Sequence, residues 1–204
     1  MVNIAVLVSG GGTNLQALLD AREQNPCGRI TLVVSSREGV YALERAKSCG
    51  IPALTLPRKG FENAAAFDQA LLTALERYEI GLVVLAGFLC ILGKPVVDRY
   101  RDRIVNVHPS LIPSFCGDGF YGLRVHEAAL AYGVKVTGAT VHLVNEVTDG
   151  GRILLQKAVE VREDDTPEAL QRRVMEQAEW DLLPRAVAML CNEITQDGRR
   201  TVSV

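Results

Sequence analysis

The first half of the chain alternates short, nearly continuous apolar runs with stretches of helical spacing. Residues 2–8 ("VNIAVLV"), 30–34, 51–56, 82–86 ("LVVLA") and 104–107 are rich in Val, Ile and Leu. That is the composition of strands covered on both faces. Between them, residues 14–22 ("NLQALLDAR"), 41–49 ("YALERAKSC", closed by Gly50) and 64–78 repeat apolar positions at helical spacing. The second half changes style. Residues 135–144 ("KVTGATVHLV") and 153–161 ("ILLQKAVEV") alternate and lie close together, as antiparallel neighbours do. Residues 110–126 read as a glycine-rich loop. Thr166-Pro167-Glu168 opens a last helix, with Thr as N-cap and Pro in the first turn. That helix is predicted to run to about residue 190, bent before Pro184, and a polar, loosely held tail follows from Asn192.

Strands alternating with helices predict an α/β fold: a doubly wound, mostly parallel, Rossmann-like sheet. Antiparallel strands and a long C-terminal helix complete the second half. The 204 residues, 48% hydrophobic and 23% charged, suit one domain over 1–204. Residues 1–108 form its parallel half and 109–204 the remainder. The formal net charge of −2 and the lack of a basic block give nucleic-acid binding no electrostatic support. The five cysteines are odd in number and widely spaced, without a CxxC pair. This favours a reducing, cytoplasmic setting over disulfides or zinc. The apolar start is too short to span a membrane and lacks the basic flank of a signal peptide.

Chemistry concentrates at four places. "SGGGTNLQA" (9–17) follows the first strand and opens the first helix, where free backbone amides can cradle a phosphate. Leu15 stands where a dinucleotide fingerprint needs its third glycine, and the Lys-Ser/Thr of a nucleotide P-loop is missing. A single terminal phosphate of a small molecule fits better; a tight glycine turn without a ligand is the plain alternative. In "IVNVHPSLIP" (104–113), Asn106 and His108 share one strand face. A lone histidine is more often structural, but an amide beside it at a strand end can serve one developing oxyanion. "VTDGG" (147–151) supplies Asp149, which is a turn residue unless it lies beside His108. There it would raise the imidazole's pKa and keep it charged near neutrality. "LAGFLCIL" (85–92) ends a strand and reads as core, or as an apolar slot for a flat heterocycle. Three scattered histidines without ligand spacing give no metal site.

"SGGGTNLQA", "LAGF", "NVHPSLIP", "TGATVH" and "DGG", in this order, closely resemble the folate-dependent formyltransferases, from Asn3 to about Leu190. The resemblance implies transfer of the formyl group of 10-formyltetrahydrofolate, the co-substrate, to the amine of glycinamide ribonucleotide in purine biosynthesis. It places the catalytic trio on Asn106, His108 and Asp149, and the phosphate loop on Gly11, Gly12, Thr13 and Asn14. It places the folate slot on Leu89, Cys90, Ile91 and Leu92 and on Asn145, Glu146, Val147 and Thr148. A substrate-side glutamate falls on Glu179, to within one residue, because this stretch is slightly longer than usual. Three departures accompany the match. Ala64 and Cys90 stand where many members carry folate-contacting arginines. The loop 114–125 is longer than the family's, and its tip, 117–122, is either a lid or a surface excursion. His126 matches a recurrent histidine and reads as structural.

The implied partners are small molecules, with neither nucleic acid nor membrane, and the chain is a monomer or homodimer. Two rivals share the trio. Formyl-folate hydrolases carry an added N-terminal regulatory domain, and formylation of initiator methionyl-tRNA calls for a further C-terminal domain and a basic surface. A chain spanning only first strand to last helix is expected to have neither. A non-catalytic phosphate-binding module is the rival of another class.

Overall fold

The computed structural model describes residues 1–200. Every expected strand forms: β1 (Val2–Val8), β2 (Gly28–Ser35), β3 (Ala53–Thr55), β4 (Leu82–Leu85), β5 (Ile104–His108), β6 (Val136–Leu143) and β7 (Ile153–Glu160). They make one sheet in the order β3-β2-β1-β4-β5-β6-β7. Pairing is parallel from β3 to β5 and antiparallel at β5–β6 and β6–β7. The chain winds outward from β1 to β3, then returns past β1 to lay down β4 on its other side. Connections leave the sheet in opposite directions between β1 and β4. Crevices at such points, beyond the carboxyl ends of the strands, are where open α/β sheets hold ligands.

Among the described residues, seven helices flank the sheet: α1 (Thr13–Asp20), α2 (Tyr41–Ser48), α3 (Ala64–Arg77), α4 (Lys94–Arg99), α5 (Leu123–Tyr132), α6 (Pro167–Val174) and α7 (Trp180–Arg200). Strand alternation divides the core in two. Val6, Val84, Val105 and Val141 pack with Leu15 of α1 and Leu183 of α7. Leu7, Val83 and Ile104 face the other way, onto Leu71 of α3 and Val97 of α4. Asn106 and His108 share the parity of Ile104, so they lie on the α3–α4 face, at the carboxyl end of β5.

Three expectations are corrected. The 110–126 loop ends earlier, because α5 begins at Leu123, and α4 is an additional helix. The last helix does not stop near residue 190: α7 continues to Arg200, with Ile194 packed against the core and Thr195 Oγ1 donating to the Cys191 carbonyl. Residues 201–204 of the expected loose tail lie outside the described residues. Thr166 caps α6 as expected, its side chain accepting from the Ala169 N–H at 3.2 Å. Between α6 and α7, Met175–Glu179 winds as a π-helical turn. A π turn is how a helix absorbs an extra residue without rotating its two halves out of phase. This one falls in the stretch that reads as slightly long in sequence.

Candidate active site

At its carboxyl end β5 outruns β4, which stops at Leu85 opposite Asn106, while β6 stays paired with it through His108. Asn106 is half-buried and His108 buried. The β6–β7 turn brings Asp149 to them. Asp149 adopts a left-handed backbone (φ 54°), which Asp tolerates better than most residues. The glycines after it are forced: a Cβ on Gly151 would lie 1.7 Å from the Leu143 carbonyl oxygen, and one on Gly150 would lie 2.6 Å from Val147. Asp149 Oδ2 is 3.4 Å from His108 Nδ1, and Oδ1 is 3.5 Å from His142 Nε2. The Gly117 N–H donates to Oδ2 at 2.9 Å. Three residues picked out by sequence therefore converge across 43 positions.

The electrostatics differ from expectation. Burial pulls the His108 pKa below its ordinary value, and the Phe115 carbonyl and Asp149 push back without prevailing. At 3.4 Å the Asp149 contact is longer than the roughly 2.7–2.9 Å of a charge-assisted bond. The carboxylate therefore does not hold a permanently charged imidazole here. The other ring nitrogen, Nε2, donates to the Phe115 carbonyl at 2.9 Å. Burial also pushes the Asp149 carboxyl up, but the hydrogen bond from the Gly117 N–H and its other polar neighbours outweigh it, and its pKa ends below the usual value.

The residue that sequence reasoning missed is His142. Its place in the site is set by register: β5–β6 pairing puts it directly opposite Asn106, and Asn106 Nδ2 lies 3.2 Å from its Nε2. "TGATVH" is visible in the sequence, but cross-strand register is not. His126 is buried in α5, and neither ring nitrogen has a hydrogen-bond partner among the described residues. Burial takes its pKa down to about 4. The start of the long loop lies over the trio: besides Phe115 and Gly117, Asp118 Oδ1 accepts from Thr148 Oγ1 at 3.1 Å. Cys116 beside it is no activated nucleophile, because burial and Asp149 raise its pKa.

The β1–α1 turn lies at the same edge of the sheet. Gly12 is the N-cap of α1, with φ 72°, and a Cβ there would meet Ala42 at 2.6 Å. Gly10 and Gly11 face open space, so neither is needed to fit the protein to itself. No side chain among the described residues caps α1, which leaves its first N–H groups, from Thr13 on, open to an anion. Asn14 donates through Nδ2 to Glu179 Oε2 at 2.7 Å, so Glu179 lies against the start of α1. Burial raises the Glu179 pKa to about 7, against the opposing bond from Asn14.

The slot loop 87–93 is pinned at both ends. The Leu89 N–H donates to Ser9 Oγ at 2.9 Å and the Gly93 N–H to Asp68 Oδ1 at 3.2 Å. Leu92 turns into the core, while Leu89 and Ile91 are exposed and Cys90 is half-buried. On the other side of β5, Asn145 Oδ1 accepts from the Val147 N–H, shaping the 145–149 turn. Val147 is exposed, and Glu146 pairs with Arg101. Two loops thus present apolar side chains beside the trio.

A doubly wound sheet carries an Asn–His–Asp cluster, with His108 buried and Asn106 and Asp149 half-buried, and a glycine turn at the same carboxyl edge. Residues 2–187 match the formyl transferase family, and the chain belongs to it. It is 42% identical over 196 residues to the human trifunctional purine biosynthetic protein adenosine-3, covering 96% of this chain and 19% of that protein. It is 38% identical to the chloroplastic phosphoribosylglycinamide formyltransferase of Arabidopsis thaliana, covering 93% of this chain and 65% of that one. The chain thus spans 14–19% of the length of the trifunctional relatives it matches. The crystal structure of glycinamide ribonucleotide transformylase 1 from Symbiobacterium toebii superimposes with a TM-score of 0.89 at 42% identity, covering 95% and 89% of the two chains.

Proposed function

We propose that the protein transfers the formyl group of 10-formyltetrahydrofolate to the amine of glycinamide ribonucleotide, working in the cytoplasm as a single domain. The observation that carries the reading is the convergence of Asn106, His108 and Asp149 next to the phosphate-ready turn of α1. Support also comes from relatives and solved structures that bear this activity in their names over nearly the whole chain.

In this reading the phosphate sits on the amides of Gly11, Gly12, Thr13 and Asn14. The buried Asn14 Oδ1, which has no partner among the described residues, accepts a donor from the same substrate, and Glu179 faces it. The heterocycle lies between 89–92 and 145–148. The amine attacks the formyl carbon, a C–N bond forms, and the carbonyl oxygen becomes an oxyanion. Asn106 Nδ2–H and His108 stabilise it; one such donor is worth about 2.7–4 kcal/mol. His108 can donate through Nε2 only when that N–H leaves the Phe115 carbonyl, so the loop must yield as substrate enters. Collapse breaks the bond to the folate nitrogen. The proton lost by the amine passes to that nitrogen through His108, or through a water held by Asp149.

The test is loss of formyl-folate with and without glycinamide ribonucleotide. Amine-dependent loss supports transfer; equal loss without the amine indicates hydrolysis, and no loss indicates a binding module. His108→Ala and Asp149→Asn are expected to lower kcat by at least about 100-fold while leaving binding of the phosphorylated substrate intact. Wild-type turnover in either would refute the assignment.

A further inference from the structure

We infer that His142 is a positioning residue that orients the amide of Asn106 toward the developing oxyanion. The inference rests on the reading of Asn106 as an oxyanion donor.

His142 is 2% exposed, so each ring nitrogen must find its partner within the protein. Nδ1 lies 2.9 Å from the Leu143 carbonyl oxygen. A carbonyl only accepts, so Nδ1 carries a proton. Nε2 has two polar neighbours: Asn106 Nδ2 at 3.2 Å and Asp149 Oδ1 at 3.5 Å. A protonated Nε2 beside a carboxylate would close to about 2.7–2.9 Å. The observed distance is far longer, and the contact with the amide nitrogen is the shorter one. The geometry therefore fits a neutral ring protonated on Nδ1, whose Nε2 lone pair accepts one N–H of Asn106.

This has a steric and an electronic consequence. A primary amide can flip by 180°, exchanging a donor for an acceptor. Asn106 is only half-buried, and turned the wrong way it would offer a carbonyl oxygen to an oxyanion, which is repulsive. The His142 lone pair rejects that orientation, because Oδ1 against Nε2 places two lone pairs together. One N–H of Asn106 is thus committed to His142, and the other is left for the substrate. The cross-strand pairing of positions 106 and 142 holds both side chains on one sheet face, so the orientation is set before substrate arrives.

Ring nitrogen chemical shifts of His142 in the wild-type protein at pH 7.5 are expected to report the neutral Nδ1–H form. An Nε2–H ring or an imidazolium would overturn the inference, and this measurement needs no variant to fold. The second test is a cycle of His142→Leu, Asn106→Ala and the double variant. His142→Leu is expected to lower kcat about 10²-fold, with KM for both substrates within about twofold. The double variant is expected to be no slower than Asn106→Ala alone. His142→Gln, whose Oε1 restores an acceptor near the Nε2 position, is expected to recover about tenfold over His142→Leu. Multiplicative losses in the double variant, or no recovery with Gln, would show that His142 does not act through Asn106. Full activity of Asn106→Ala would instead remove the oxyanion role itself.

Discussion

Burial keeps the Glu179 carboxyl protonated up to about pH 7, whereas in the unfolded chain it ionises near 4.5. Between those values the folded state holds a proton that the unfolded state has released, so stability is full below about 4.5 and falls as pH rises toward 7. The loss amounts to ~3 kcal/mol, at ~1.4 kcal/mol per pKa unit. Glu179→Gln removes the titration and keeps an oxygen to accept from Asn14. Thermal melts are expected to show the variant more stable than wild type at pH 8 and equal to it at pH 4; equal melting at both would refute this. Asp149 makes the opposite kind of contribution, pushing the His108 pKa up against burial. If protonated His108 is the active form, kcat declines as pH rises through its pKa. In Asp149→Asn, whatever activity remains is expected to decline at lower pH than in wild type. An unmoved limb would disconnect the pair. Strand parity alone put Asn106 and His108 on one face, and that much was legible in the sequence. The balance between desolvation and a 3.4 Å carboxylate was not, because it depends on distance and enclosure. His142 was hidden for the same reason: register, not periodicity, makes it the neighbour of Asn106.

At the scale of the element, the three glycines of the β1–α1 turn divide by what surrounds them. Gly12 combines φ 72° with an approach of 2.6 Å to Ala42, so Gly12→Ala strains the backbone and forces α2 away. A loss of about 1–3 kcal/mol is expected in chemical denaturation. Gly10 and Gly11 meet nothing within 4 Å. Gly11→Ala is expected to leave stability within about 0.5 kcal/mol and to raise KM for the phosphorylated substrate, because its methyl enters the cradle. If Gly11→Ala binds that substrate normally, the phosphate lies elsewhere. The turn was readable as strand-loop-helix, but not which glycine the fold requires and which it leaves facing open space. Other misses share a cause. α4 is six residues long and opens with Lys94-Pro95, too short for a helical period to register. α5 begins directly after Gly122, so the glycine-rich composition before it masked its start. The π turn, five residues long, leaves no periodic signature.

The whole molecule assembles its site from both ends of the chain. The N-terminal half brings the α1 turn, the 87–93 loop and β5. The C-terminal half brings Asp149 and, through the π turn, Glu179. The Asn14–Glu179 hydrogen bond spans 165 residues, and α1 packs on α7 beneath it. A ligand held by Gly11 to Asn14 therefore bears on the C-terminal helix as well as on the turn it touches. Any ligand that binds only the native state stabilises it by mass action, by about 2.7 kcal/mol at a hundred times its Kd. Where protection against hydrogen exchange appears shows which elements open together. Glycinamide ribonucleotide added without folate is expected to slow exchange in α1 and also across 180–190, while α3 and α4, on the opposite face, change little. Protection confined to α1 would mean that the phosphate turn and the last helix open independently. The buried Asn14–Glu179 pair would then be a local contact and not the tie between the two halves of the site.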